Sequence, residues 1–206
     1  LIYTTPKLGD ITLSIGIMPG DDSGADGSDS DDGFADQISL AAVYSKDDLY
    51  AAVGVDENVN GLDIIRLSGT YTIGDVTLGV SYQQSEDADV GSGKGFADNV
   101  KGAIADVLED YDGTFVAEAQ ESLTLIAKWK IDNWTLKAQL IDSSYEGNNA
   151  ELDNGAMTIG ADYKLSKRTK VYSHYTQLSV DKNSDIGLSD DYEYTGIGLI
   201  GIEHKF

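Results

Sequence analysis

Apolar residues in this chain return at every second position. Ile11, Leu13, Ile15 and Ile17 alternate with small or polar residues, and so do Ile38, Leu40, Ala42 and Tyr44. The pattern recurs at Ile65–Ile73, Val76–Tyr82, Leu123–Trp129, Trp134–Leu140 and Met157–Tyr163. A period of two places alternate side chains on opposite faces of an extended strand. With the less regular runs at 1–5, 48–56, 170–179 and 193–206, about eleven strands are expected. Each approaches the ~9–11 residues of a strand that crosses a bilayer.

The links between these runs fall into two kinds. Short ones sit at Pro6–Gly9, Lys46–Asp48, Gly74–Asp75, Asp132–Asn133 and Ser166–Thr169. Longer ones are expected at 19–36, 57–62, 86–121, 143–154 and 180–192. Regular alternation of short and long predicts an antiparallel up-and-down barrel with tight turns at one rim and extended loops at the other. The fold class expected is therefore an all-β transmembrane barrel wall, forming a single domain over residues 1–206.

Charge follows the same division. The chain carries 36 acids against 14 bases, a net charge of −22. Loops 19–36, 86–121, 143–154 and 180–192 together hold 24 of those acids and 3 of the bases, so the acidity belongs to one rim. This balance argues against a nucleic-acid partner, whose phosphates demand the opposite sign. Cysteine is absent, which excludes disulfides and thiolate metal sites. Two histidines, His174 and His204, leave little for a hydrolytic triad, so no enzymatic role is expected.

Aromatic residues on the apolar face give a second line of support. Tyr44, Tyr71, Trp129, Trp134 and Tyr163 each lie within a few residues of a short link, and Phe206 falls at the same level. Rings with an apolar body and a polar tip prefer the headgroup zone, so these six are expected to form a girdle. On the opposite parity, Arg66, Lys128, Lys130, Lys137, Asp162, Lys164 and His174 are expected to line a wet interior. Two further segments carry candidate roles. Loop 19–36 contains Asp21, Asp22, Asp26, Asp29, Asp31 and Asp32 among glycines and serines. It reads chiefly as a solvated loop, with divalent-cation binding at the outer rim, calcium for example, as the minority reading. Residues 96–111 show a helical period and read as a loop helix at the mouth.

Three motifs carry a resemblance. The chain closes on Tyr194-Thr-Gly-Ile-Gly-Leu-Ile-Gly-Ile-Glu-His-Lys-Phe206. A hairpin reads Tyr163-Lys-Leu-Ser-Lys-Arg-Thr-Lys-Val-Tyr172, and an early segment reads Tyr3-Thr-Thr-Pro-Lys-Leu-Gly9. Together they resemble the Gram-negative general diffusion porins, whose last strand often ends G-[LI]-R-H-[KR]-F and whose hairpin reads Y-x-L-S-K-R-T-x-x-Y. Glu203 stands where the family usually has arginine, and Leu1-Ile2 replace a basic residue before Tyr3.

The resemblance implies a sixteen-stranded homotrimer that passes small hydrophilic solutes passively, without a cofactor, among outer-membrane lipid and lipopolysaccharide. It also implies that His204 and Phe206 belong to the signal read by the barrel assembly machinery. The early segment lies on the family's sixth strand. The eleven strands therefore correspond to six through sixteen, and five strands with the constriction loop are expected upstream. A barrel used for adhesion, recognition or structure is the alternative that the long acidic loops leave open.

Overall fold

A computed structural model describes residues 1–19, 35–59, 61–87, 117–147, 150–182 and 192–205. It contains eleven strands: β1 (Ile2–Thr4), β2 (Ile11–Met18), β3 (Gln37–Lys46), β4 (Leu49–Val59), β5 (Leu62–Ile73), β6 (Val76–Asp87), β7 (Ala117–Ile131), β8 (Trp134–Gly147), β9 (Ala150–Lys164), β10 (Thr169–Lys182) and β11 (Tyr192–His204). They form one sheet in chain order, β1 to β11, with every neighbouring pair antiparallel. Among the described residues β1 and β11 each have a single partner strand. The fold is all-β, as the alternation predicts.

Tight connections at one rim follow from local chemistry. Three are two-residue links closed by the pairs Lys46↔Leu49, Ile73↔Val76 and Ile131↔Trp134. The first residue of each has left-handed backbone, at Asp47 (φ 48°), Gly74 (φ 59°) and Asp132 (φ 50°). Glycine and aspartate tolerate that region better than other residues. The β9–β10 turn is held differently. Ser166 Oγ accepts the backbone N–H groups of Arg168 and Thr169, both at 3.1 Å.

At the other rim the loop bounds need correction. The link expected at 143–154 is not a long loop, because β8 and β9 stay paired out to Gly147↔Ala150. The link expected at 57–62 is also tight: β4 runs to Val59 and β5 starts at Leu62, with an irregularity between Asp56 and Val59. Strands also extend into the ends of 86–121 and 180–192, up to Asp87, from Ala117 and up to Lys182. The cause lies in what the alternation measures. Hydrophobic periodicity needs one apolar and one polar environment, whereas backbone pairing does not. Asp142, Ser144, Glu146, Glu151 and Asp153 are polar although the ladder continues through them. The acidic segment with Asp21, Asp22, Asp26, Asp29, Asp31 and Asp32, the segment 96–111, and Phe206 lie outside the described residues.

The sheet is polar on one face and apolar on the other, and the distribution of exposure is inverted relative to a water-soluble sheet. Leu40, Leu67, Leu78, Leu125 and Leu140 are 46–50% exposed, whereas the only buried apolar side chain among the described residues is Ile64. The most buried polar ones are Ser85 and Ser143. A sheet in water hides its leucines and exposes its serines. This arrangement suits a wall whose apolar face meets hydrocarbon.

Toward the C-terminal end, glycines make slots for rings on the neighbouring strand. Gly201 pairs with Tyr172 and lies directly beneath its ring, and Gly196 lies beneath Tyr175. Gly160 pairs with His174, and a Cβ placed there would sit 2.6 Å from Nδ1. An aromatic ring laid over a glycine covers backbone that would otherwise lack side-chain contact.

Candidate functional site

Register assigns each polar side chain to a face. Ser14 pairs with Ala41, Ala41 with Gly54, Gly54 with Arg66, Arg66 with Gln83, and Gln83 with Ser122. The same face continues through Ser143, Asn154 and onward to β10. Arg66, Lys128, Lys130, Lys137, Asp162, Lys164 and His174 all fall on it. Tyr44, Tyr71, Trp129, Trp134 and Tyr163 fall on the other, near the short turns. Trp134 and Tyr163 are register partners, with ring centroids 4.7 Å apart. His204 shares that apolar face, and its Nδ1 lies 2.8 Å from Thr169 Oγ1.

Two ionic clusters organise the polar face. The first spans β3 to β6. The Arg66 guanidinium donates to Asp56 Oδ2 at 3.1 Å and to Gln83 Oε1 at 2.7 Å, while the Ser39 hydroxyl donates to the other Asp56 oxygen. The second spans β8 to β11. Lys137 Nζ reaches both oxygens of Asp162 at 2.8 Å. Lys170 lies between Asp162 at 3.5 Å and Glu203 at 3.1 Å, and His174 Nε2 stands 3.9 Å from Asp162. Small hydroxyls fill the spaces between, such as Thr158 with Thr176 at 2.9 Å and Ser122 with Ser143 at 2.7 Å.

The bases on this face do not gather at one level. Arg66 lies at the level of Ser122, six residues along β7 from Lys128, or ~20 Å. It answers to Asp56. Lys128 and Lys137 are direct register partners, and Lys164 pairs with Lys170. Like charges opposed across strands repel; Asp162 offsets this at Lys137 and Lys170. Asp56, Gln83 and Lys170 complete the two clusters but are not among the residues singled out from the sequence. Lys170 was detectable by parity with His174. Asp56 needed the β4–β5 register to bring it to Arg66.

The face is thus a surface of ion pairs and hydroxyls that carries fixed charge of both signs. Among the described residues, the His174 ring meets Tyr172 edge-on at 5.7 Å and lies over Gly160.

Comparison with known proteins accords with this architecture. A family model for Gram-negative porins matches residues 1–183. The in-vitro folded OmpT of Vibrio cholerae, an outer membrane protein, is 18% identical, with a TM-score of 0.61 over 98% of this chain and 62% of its own. OmpT expressed in the outer membrane of Vibrio cholerae is 17% identical, with a TM-score of 0.58 over 98% of this chain and 63% of its own. A porin refined at 1.8 Å is 14% identical, with a TM-score of 0.63 over all of this chain and 60% of its own. The chain thus spans 60–63% of the length of these structures. No curated protein matches it. With one face built for hydrocarbon and the other for water, and with the family model covering most of its length, the chain belongs to the Gram-negative porin family of bacterial outer-membrane β-barrel proteins.

Proposed function

We propose that this chain forms most of the wall of a water-filled channel through which small hydrophilic solutes and ions diffuse passively, with mild preference for cations. The observation that carries the reading is the pairing, on strand after strand, of a half-exposed apolar face with a face of hydroxyls and ion pairs. The wall must close on itself in the membrane, because an open edge would leave N–H and C=O groups in hydrocarbon at several kcal/mol each. The family resemblance supports sixteen strands, a homotrimer, contacts with lipopolysaccharide and delivery by the barrel assembly machinery. The process needs neither a chemical step nor a cofactor. Tyr44, Tyr71, Trp129, Trp134 and Tyr163 form the turn-side girdle on this reading, together with Phe206 of the expected six.

Cation preference comes from the acidic segments between strands at the outer rim, whose summed field raises cation concentration at the mouth. The full-length protein in a planar bilayer under a potassium chloride gradient is expected to show a reversal potential on the cation side, shrinking as salt rises. A reversal potential favouring chloride overturns the preference. A folded protein that passes no current overturns the channel and leaves the recognition reading.

The second cluster makes a sharper prediction within the same measurement. Asp162→Asn leaves Lys137 and Lys170 beside Lys128 and Lys164 with one acid fewer. The ratio of potassium to chloride permeability is expected to fall, most strongly at low salt. The Lys137–Asp162 pair is partly wet, so the stability loss is expected to be ~1 kcal/mol. An unchanged permeability ratio in the folded variant would show that this cluster lies away from the ion path.

A further inference from the structure

The short-turn rim carries a recess whose charge is opposite to that of the chain. Its open volume is about 240 Å³, and it lies where the β9–β10 turn meets the ends of β8 and β11. Five bases line it against two acids, Asp162 and Glu203, in a protein of net charge −22. The acids are already engaged. Asp162 is held by Lys137 and Lys170, and Glu203 by Lys170 and, at 3.9 Å, by Lys205. Lys164, Lys167 and Arg168 have no carboxylate within ion-pair distance among the described residues.

The backbone of the turn that carries Lys167 and Arg168 is held in place. Ser166 Oγ accepts two backbone N–H groups, which leaves its hydroxyl hydrogen free to point outward. The turn is closed by Leu165 N–H to Thr169 O at 2.9 Å and tied to β11 by Lys205 N–H to Arg168 O at 2.9 Å. Asn133, from the neighbouring tight link, lines the same recess. A guanidinium, two ammonium groups and the Ser166 hydroxyl around one small opening, with the Asn133 amide on its lining, match the several acceptor oxygens of a compact multivalent anion. A monovalent halide satisfies few of them.

We propose that this recess binds a small multivalent oxyanion, with phosphate the simplest example, at the turn-side mouth. That mouth is periplasmic in a bacterial outer-membrane barrel. The mouth therefore holds anions close to the wall while the acidic outer rim gathers cations. The site is accessible in the detergent-solubilised protein whether or not the channel conducts, so its failure is distinct from failure of the channel reading.

The test is phosphorus NMR of inorganic phosphate titrated against the full-length protein in detergent. Saturable line broadening is expected, competed by sulfate and not by chloride at equal ionic strength. The double variant Lys167→Gln, Arg168→Gln is expected to weaken binding about tenfold or more. Lys7→Gln, on a different turn of the same rim, is expected to leave it unchanged. Heat-modifiable electrophoretic mobility reports that both variants fold. Absence of broadening in the wild type, or equal broadening in the folded double variant, overturns the site.

Discussion

Leu125→Arg is expected to cost ~2–4 kcal/mol in a lipid bilayer, while Thr124→Arg, one residue away, is expected to be nearly neutral. Leu125 lies mid-strand on the apolar face of β7, paired with Val80 and Leu140, and is 46% exposed. A guanidinium there sits among acyl chains with no partner. Thr124 pairs with Ser81 on the face that carries Arg66 and Gln83, where another charge meets water. Urea unfolding in phospholipid vesicles separates the two, since a difference of about 2.8 kcal/mol is about a hundredfold in the unfolding equilibrium constant. Equal losses would mean that the two faces meet the same medium, and the membrane assignment would fall.

A steric counterpart lies at the C-terminal end of the sheet. Gly201→Val is expected to cost ~1–3 kcal/mol, because its side chain would occupy the volume of the Tyr172 ring. Backbone supports the ring from below, so Tyr172 must swing away or the β10–β11 pairing must part. Tyr172→Ala vacates the slot, and the double variant should then lose less than the sum of the singles, with a coupling of ~0.5–3 kcal/mol. Vesicle unfolding of the four proteins measures it. Additive losses would show that the ring and the glycine do not share that space.

How far the sequence alone reveals this architecture depends on which force shaped each position. Lipid contact imposes a strict period on every residue of the apolar face, so β2, β3 and β5–β9 could be read from Ile11, Leu40, Leu67 or Leu136. Tight turns needed Asp47, Gly74 and Asp132 at left-handed positions and were equally readable. The outward reach of β8 and β9 was not, because both faces of that hairpin are polar above the apolar band. The ionic clusters were only half visible. Parity places Arg66 and Lys137 on the polar face, but their partners are chosen by register, and register is a relation between strands. Asp56 and Gln83 sit 10 and 17 residues from Arg66 along the chain, and only the β4–β5–β6 pairing makes them neighbours. In β10 the rings of Tyr172 and Tyr175 fall on opposite faces, which blurs the alternation and leaves parity with His174 as the signal that marks Lys170.

The strand order has a consequence for how such proteins change size. Every described strand pairs only with its neighbours in the chain, so the molecule behaves as a folded ribbon. Adding or removing one hairpin leaves all other pairings as they were. Circumference can therefore grow or shrink in steps of two strands, and a single long-range seam, where the ribbon meets itself, has to adapt.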